Sequence, residues 1–246
     1  MTITPDTITP DMNVAAIATA APGTIRVFQE HEIDFCCGGK IPLSDACRKR
    51  GLDVQSVLGA LRAAVTPAAE QSWTEAPLET LVRHIQTRYH EHLRAELPRL
   101  SAMLDKVVSR HGDHLPELLL PLRDTFIGLE QELLAHMAKE DRVLFPAIVA
   151  LESNEAPVGP GAAWIESPIA VMEAEHEEAG AALASIRRMT GGFAPPDWAC
   201  PTFRGLYYGL MQLEADMHLH VHLENNVLFP RAARLAADLS FEIRQS

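Results

Sequence analysis

The sequence predicts an all-α protein, an up-down four-helix bundle preceded by a small helical domain. Strand-like alternation is nearly absent, whereas long stretches place apolar residues three and four positions apart, the spacing of one buried helix face. The chain also repeats the pattern H-x-x-x-E-x-x-V-L-F-P at residues 136–146 and 220–230. Two copies of one helical element, 84 residues apart, indicate a bundle with two related halves.

The composition excludes several classes of protein. With 246 residues, 47% of them hydrophobic, the chain can bury a sizeable core. A net charge of −12 argues against nucleic acid and membrane surfaces as partners, because both attract basic proteins. No apolar run approaches the ~18 residues that a membrane-spanning helix needs, and no basic leader precedes the small residues near the N-terminus.

The number and spacing of the cysteines indicate in which cellular compartment the protein is expected. The chain has four, Cys36, Cys37, Cys47 and Cys200, which are too few and too scattered for a disulfide framework. A reducing, cytoplasmic setting is therefore expected.

Four regions are predicted along the chain. Residues 1–11 are polar, contain two prolines and are expected to form a disordered tail. Residues 12–65 form the small helical domain, residues 66–76 a linker, and residues 77–246 the four-helix bundle.

The small domain is expected to contain four short helices, with a loop between the second and the third. Ser44 and Asp53 are the expected N-caps of the third and fourth helices. The loop reads Asp-Phe-Cys-Cys-Gly-Gly-Lys at residues 34–40 and breaks the helical pattern. The four helices are expected at residues 13–20, 22–32, 44–51 and 53–65.

The bundle is expected to contain four longer helices. Pro98 should kink the first, and Ser167 followed by Pro168 should begin the third as N-cap and first-turn proline. A segment rich in Gly, Pro and Ala, residues 152–167, connects the second to the third. These helices are expected at residues 77–110, 116–151, 167–191 and 197–239.

The buried faces of the second and fourth bundle helices each contain a histidine and a glutamate. His136 and Glu140 continue the apolar stripe of the second helix, which ends on Val143. His220 and Glu224 occupy the same register of the fourth. Burying an unpaired carboxylate is costly, so each glutamate needs a positive partner. With a histidine one turn away, a metal ion is the natural candidate.

Each of the other two bundle helices offers one histidine on its buried face. These are His90 and His176, which lie 86 residues apart, close to the spacing of the repeat. The remaining seven histidines fall outside the stripes and are predicted to be solvated surface residues: His31, His84, His92, His111, His114, His218 and His222.

Four histidines and two glutamates fit a dinuclear metal site. Helical bundles host such sites, and mixed imidazole and carboxylate ligands suit iron, with manganese or zinc as alternatives. Six side chains leave coordination positions open, so a small molecule such as NO, O2 or water can bind. Alternatively, the two H-x-x-x-E segments are buried hydrogen-bonded pairs, but their identical frames favour the metal. The predicted ligands are His90, His136, Glu140, His176, His220 and Glu224.

The vicinal cysteines Cys36 and Cys37 are expected to be free thiols, because a disulfide between neighbours closes a strained ring. The glycines after them should expose the sulfurs, and Lys40 should favour a thiolate. Two interpretations remain open. The pair serves redox work or metal transfer, or it consists of two small apolar side chains in a buried loop.

These segments resemble the iron–sulfur cluster repair di-iron proteins, the RIC family of the hemerythrin-like group. The loop at residues 34–40 resembles the signature of that family's N-terminal domain. The segments RYHEHLRAELP and VMEAEHEEAG, together with the two H-x-x-x-E-x-x-V-L-F-P copies, resemble its C-terminal domain. The resemblance implies a hemerythrin-like bundle with two oxo- or hydroxo-bridged non-haem irons, held by the same six side chains.

The resemblance also implies a function. The protein would repair iron–sulfur clusters damaged by nitrosative or oxidative stress, by donating iron, with Cys36 and Cys37 as accessory thiols. Its partners would be damaged or apo iron–sulfur proteins and the ligands NO or O2. Two alternatives remain: a di-iron nitric oxide reductase or peroxide-consuming oxidase, and a hemerythrin-like sensor of O2 or NO. Whether the protein forms a homodimer is left open.

Overall fold

Helices make up the regular structure of this protein in a computed structural model that describes residues 4–65, 73–153 and 163–243. No β-strand occurs within these ranges, where an isolated antiparallel bridge joins Asn13 and Pro42. The all-α prediction is confirmed. None of the helices in the described ranges is long and apolar enough to cross a membrane. Parts of the predicted tail, linker and connection lie outside the described residues, at 1–3, 66–72 and 154–162, as do residues 244–246.

The described helices belong to two compact units. The first contains residues 4–65, 73–81 and 218–243. The second contains residues 82–153 and 163–217.

The N-terminal part of the first unit contains the four short helices that the sequence predicts. Asp53 caps the fourth as expected, because its carboxylate accepts hydrogen bonds from the amides of Gln55 and Ser56. The predicted Ser44 cap is wrong, since the third helix begins one residue earlier. The amide of Ser44 donates instead to the carbonyl of Pro10. The four helices are α1, Val14–Ala20, α2, Ile25–Glu30, α3, Leu43–Arg50, and α4, Val54–Ala64.

The core of this part reaches into the tail that was predicted to be disordered. Ile8 is fully buried, and its carbonyl accepts a hydrogen bond from Arg62 at 3.0 Å. A single apolar anchor has no periodicity, so the sequence pattern did not reveal it. The other large, fully buried side chains here are Ile17, Phe28, Phe35, Leu43 and Leu61.

Three of the four long helices contain a π-helical turn where the sequence predicts continuous α-helix. These turns are Gln86–His90, Glu140–Leu144 and Glu224–Leu228. The long helices therefore appear as segments: α5, Leu78–Ile85, α6, Glu91–His111, α7, Pro116–Lys139, α8, Phe145–Glu152, α9, Ala163–Met189, α10, Pro201–Leu223, and α11, Phe229–Ile243.

The second unit packs α6, α7, α9 and α10 into a four-helix bundle. Helix α7 lies between α6 and α9. An ion pair between Arg187 and Glu214 joins α9 to α10, and Gly209 brings α10 close to Leu100 of α6. Pro98 lies within α6, and the kink predicted there stays a prediction. Pro168 lies in the second turn of α9, not in its first.

The prolines of the repeat explain two of the π-helical turns. Pro146 has no amide hydrogen, and in a regular α-helix its ring would press on the carbonyl four residues earlier. The wider turn provides a bond from the amide of Phe145 to the carbonyl of Glu140. Phe229, which precedes the second proline, bonds the carbonyl of Glu224 in the same way.

The extra residue in a π-helical turn changes which side chains face the core. Val143 is 64% exposed, so its predicted place on the buried stripe is wrong. Leu144 is buried instead, because the turn shifts the register by one residue. The second copy differs, since Val227 and Leu228 are both buried where α1 packs on the turn.

Candidate metal centre

Three histidines of the second unit converge on Glu140, and all four side chains are buried. One oxygen of Glu140, Oε2, lies 3.4 Å from Nε2 of His90. The other, Oε1, lies 3.3 Å from Nε2 of His136. Nε2 of His176 is 2.9 Å from Nε2 of His136. Ligand atoms of His136, Glu140 and His176 all lie within 4.8 Å of one another, so this cluster has the donor types and proximity that a transition metal requires.

His220 and Glu224 form a second buried group, in the first unit. They lie one helical turn apart, at the end of α10 and the start of the π-helical turn that follows. His220 Nε2 is 2.9 Å from Glu224 Oε1, and the exposures of the two residues are 1% and 0%. All six predicted side chains are thus buried, as the stripes predict.

Two carboxylates hydrogen-bond to Nδ1 of His90 and of His136, the ring nitrogens that face away from Glu140. The sequence did not lead us to predict either carboxylate. Asp141 Oδ1 lies 3.0 Å from His90 Nδ1, and Glu175 Oε2 lies 2.8 Å from His136 Nδ1. A carboxylate accepts, so each imidazole donates from Nδ1 and turns its Nε2 towards Glu140. Such outer partners orient metal-binding histidines and make them more basic.

Hydrogen-bond donors, including the cations Arg94 and Lys139, hold both of these carboxylates in their charged form. Burial raises the pKa of Asp141, but hydrogen bonds from His90, Arg94 and Gln86 outweigh it and hold the pKa well below its usual range. Burial likewise raises the pKa of Glu175, and bonds from Lys139 and His136 bring it below the ordinary value.

Neither carboxylate lies on a predicted core stripe. Asp141 directly follows Glu140, and Glu175 directly precedes His176. In a regular α-helix, neighbouring residues face different directions. An acidic residue next to a ligand on the chain was the available signal, but helical periodicity assigns it to another face.

The cysteine loop packs on the segment that contains His220 and Glu224. His222 donates from Nδ1 to the carbonyl of Phe35 at 3.1 Å. Asn226 donates to the carbonyl of Cys36 at 2.9 Å. Each donor is two residues from a predicted ligand, so the loop lies directly beside this part of the chain.

His222 is therefore not the surface residue that the sequence predicts, since it is only 2% exposed. Burial lowers its pKa to about 4, although the bond to Phe35 opposes the shift. Its Nε2 lies 3.4 Å from the hydroxyl of Thr19 in α1. The face that periodicity assigned to solvent is covered by a distant part of the chain.

The two thiols of the loop have different surroundings. Cys36 is buried and Cys37 is partly exposed, and neither takes part in a disulfide. The hydrogen bond to Cys37, followed by burial, raises the pKa of Cys36 well above its ordinary value. The prediction of a thiolate is therefore wrong for Cys36.

Asp34 shapes the cysteine loop through its carboxylate. This carboxylate accepts from the amides of Cys36 and Cys37 at 2.9 and 3.1 Å. It also accepts from the amide of Gly38 at 2.9 Å and from the thiol of Cys36 at 3.3 Å. The loop is a closed turn with one sulfur inside it.

Comparisons with known proteins match both parts of the chain. The hemerythrin HHE cation-binding domain matches residues 81–232, and a domain of unknown function, DUF542, matches residues 10–65. Two similar relatives are the proteins named iron–sulfur cluster repair protein YtfE from Yersinia pseudotuberculosis serotype O:1b (strain IP 31758) and from Yersinia pestis (strain Pestoides F). Each is 38% identical over 225 residues, which cover 91% of this chain and 97% of the relative.

Proposed function

Since this chain belongs to the family of the iron–sulfur cluster repair protein YtfE, we propose that it restores damaged iron–sulfur clusters by means of a di-iron centre. The observation that carries the proposal is the buried cluster around Glu140, in which each carboxylate oxygen faces a different histidine. Glu140 would therefore offer one carboxylate oxygen beside each of two histidine donors to a bound metal.

Six side chains are proposed to hold the two irons. Four of them form the cluster around Glu140 in the second unit. The other two, His220 and Glu224, continue the buried face of α10 beyond Leu213 and Met217, which lie in the core. Two carboxylates offset part of the charge of two divalent ions, and a bridging oxo or hydroxo group would offset more. The proposed ligands are His90, His136, Glu140, His176, His220 and Glu224.

The protein's own residues prepare this site. Asp141 and Glu175 hold His90 and His136 with Nε2 directed inwards, and near-complete burial of the six side chains limits access of water. When bound, iron supplies a labile metal for an apo-cluster protein and open positions for NO or O2. Repair by iron donation is the form of the function that we propose.

The cysteine loop is proposed to assist as a pair of accessory thiols. Its contacts with His222 and Asn226 place it beside the segment that carries two proposed ligands. Cys37 is the more accessible sulfur of the pair. Free thiols are typical of reducing compartments, which supports a cytoplasmic setting.

Metal analysis tests the proposed ligands. Protein purified from iron-replete cells should contain about two irons per chain. Glu140→Gln and Glu224→Gln should each lower this ratio, because each removes a carboxylate charge without changing side-chain size. Glu132→Gln is the matched control, an exposed glutamate on the same helix as His136. Equal iron contents in all four proteins would refute the ligand assignment.

Transfer experiments test the function. The iron-loaded protein should reconstitute an apo iron–sulfur protein in the presence of sulfide and thiol, faster than an equal amount of free iron does. Catalytic formation of nitrous oxide from NO without iron transfer would favour a nitric oxide reductase. Reversible binding of NO or O2 with neither outcome would favour a sensor.

A double variant tests whether the cysteines act in iron transfer or in metal binding. Cys36→Ala/Cys37→Ala should retain both irons and transfer them more slowly. Loss of iron from this variant would show that the loop supports metal binding itself, and an unchanged transfer rate would exclude an accessory role.

A further inference from the structure

We infer that Asp141 is a positioning residue, which fixes the tautomer and orientation of His90 and thereby slows the loss of the metal bound there. The inference rests on the proposed function in that His90 is a metal ligand. The hydrogen bonds that carry it belong to the protein alone.

One imidazole lies between two consecutive carboxylates. The Nδ1 atom of His90 is 3.0 Å from Asp141 Oδ1, and its Nε2 is 3.4 Å from Glu140 Oε2. Side chains of neighbouring residues point about 100° apart in an α-helix, so two such residues rarely reach opposite edges of the same ring. Here they begin the π-helical turn Glu140–Leu144.

The plane of the ring is also held. Phe145, the residue that follows the π-helical turn, stacks on His90 with ring centroids 5.4 Å apart and an angle of 16° between the planes. Contacts at both edges and on one face leave the imidazole little freedom to rotate.

The carboxylate of Asp141 accepts two further hydrogen bonds from the long helix that contains His90. Gln86 donates to Oδ1 at 2.9 Å, and Arg94 donates to Oδ2. Gln86, His90 and Arg94 follow one another at steps of four residues, so one face of that helix presents three groups to a single carboxylate. Arg94 and Gln86 satisfy Asp141 without competing for the metal-facing nitrogen.

These contacts settle the direction of the bond. An ionised carboxylate only accepts, so His90 donates from Nδ1 to Asp141, which leaves Nε2 as the ring nitrogen that faces Glu140. Asp141→Asn keeps the size of the side chain, removes the charge and adds a donor that can face Nδ1 and reverse the tautomer. Loss of such outer partners typically costs about 10–100-fold in metal affinity.

The tautomer provides a test that needs no iron. In metal-free, full-length protein, long-range proton–nitrogen NMR spectra should show His90 protonated at Nδ1. Asp141→Asn should shift the resonances of His90 towards the other tautomer or towards averaging. Asp124→Asn, an exposed site on α7, should leave them unchanged. If His90 keeps its Nδ1 proton in Asp141→Asn, the inference is wrong.

Iron release provides the second test. Iron-loaded Asp141→Asn should lose metal to a ferrous chelator about 10–100-fold faster than the wild type. Arg94→Gln, which removes one support of Asp141 from a partly exposed position, should give a smaller increase. Equal release rates in wild type, Asp141→Asn and Arg94→Gln would overturn the inference while leaving the iron site intact. Wild-type protein without iron would instead refute the proposed function, and the NMR test would still decide the role of Asp141.

Discussion

The close approach of α10 to α6 depends on a glycine. A Cβ atom built on Gly209 would lie 2.5 Å from Cδ2 of Leu100 and 3.2 Å from a guanidinium nitrogen of Arg99. Leu100 is fully buried, so it has little room to yield. We therefore expect Gly209→Ala to destabilise the bundle.

Two opposing effects set the magnitude. Replacing glycine by alanine inside a helix stabilises it by about 1 kcal/mol. Carbon atoms essentially never approach a Cβ closer than 3.0 Å, so Leu100 or α10 must move by the missing distance. Overpacking of a filled core costs about 1–3 kcal/mol. The contact is much shorter than real ones, so we take the upper part of that range, about 2–3 kcal/mol, and subtracting the gain leaves a net loss of about 1–2 kcal/mol.

Two other glycines provide matched controls for this substitution. Gly128 in α7 and Gly180 in α9 have nothing within 4 Å of a built Cβ, so alanine should raise stability there by up to about 1 kcal/mol. Urea unfolding of the iron-loaded proteins, followed by circular dichroism, measures all three. If Gly209→Ala proves as stable as the controls, the packing of α10 on α6 is not as close as described.

Two further predictions concern contacts that join distant segments. Arg187→Ala should cost about 3 kcal/mol of unfolding free energy, because it leaves the carboxylate of Glu214, which is 4% exposed, without its bidentate partner. The double variant Arg187→Met/Glu214→Leu should recover most of this loss, and urea midpoints that fail to recover would contradict the explanation. Asn226→Ala removes the bond to the carbonyl of Cys36 and should cost about 1 kcal/mol. It should also speed the alkylation of Cys36, measured by mass spectrometry, and an unchanged rate would show that Asn226 does not hold the loop.

The sequence itself determined the helical fold and the histidines that are buried. An apolar stripe is a local property, since each residue's position around a helix follows from its place in the chain. His90, His136, His176 and His220 continue such stripes, and each is at most 3% exposed. The same stripes selected Glu140 and Glu224, which are both fully buried.

Only the tertiary structure decided what surrounds those residues. The π-helical turns break the regular period from which the stripes were derived, so Val143 faces solvent and Asp141 reaches His90. His222 is covered because Phe35, 187 positions away in the chain, packs on it. The two copies of the repeat look alike in sequence, and nothing in the second copy's own residues indicates that the cysteine loop lies against it. Helical periodicity depends on neighbours along the chain. Which segment covers a helix face, and which carboxylate hydrogen-bonds to a metal-binding histidine, depend on segments that only folding brings together.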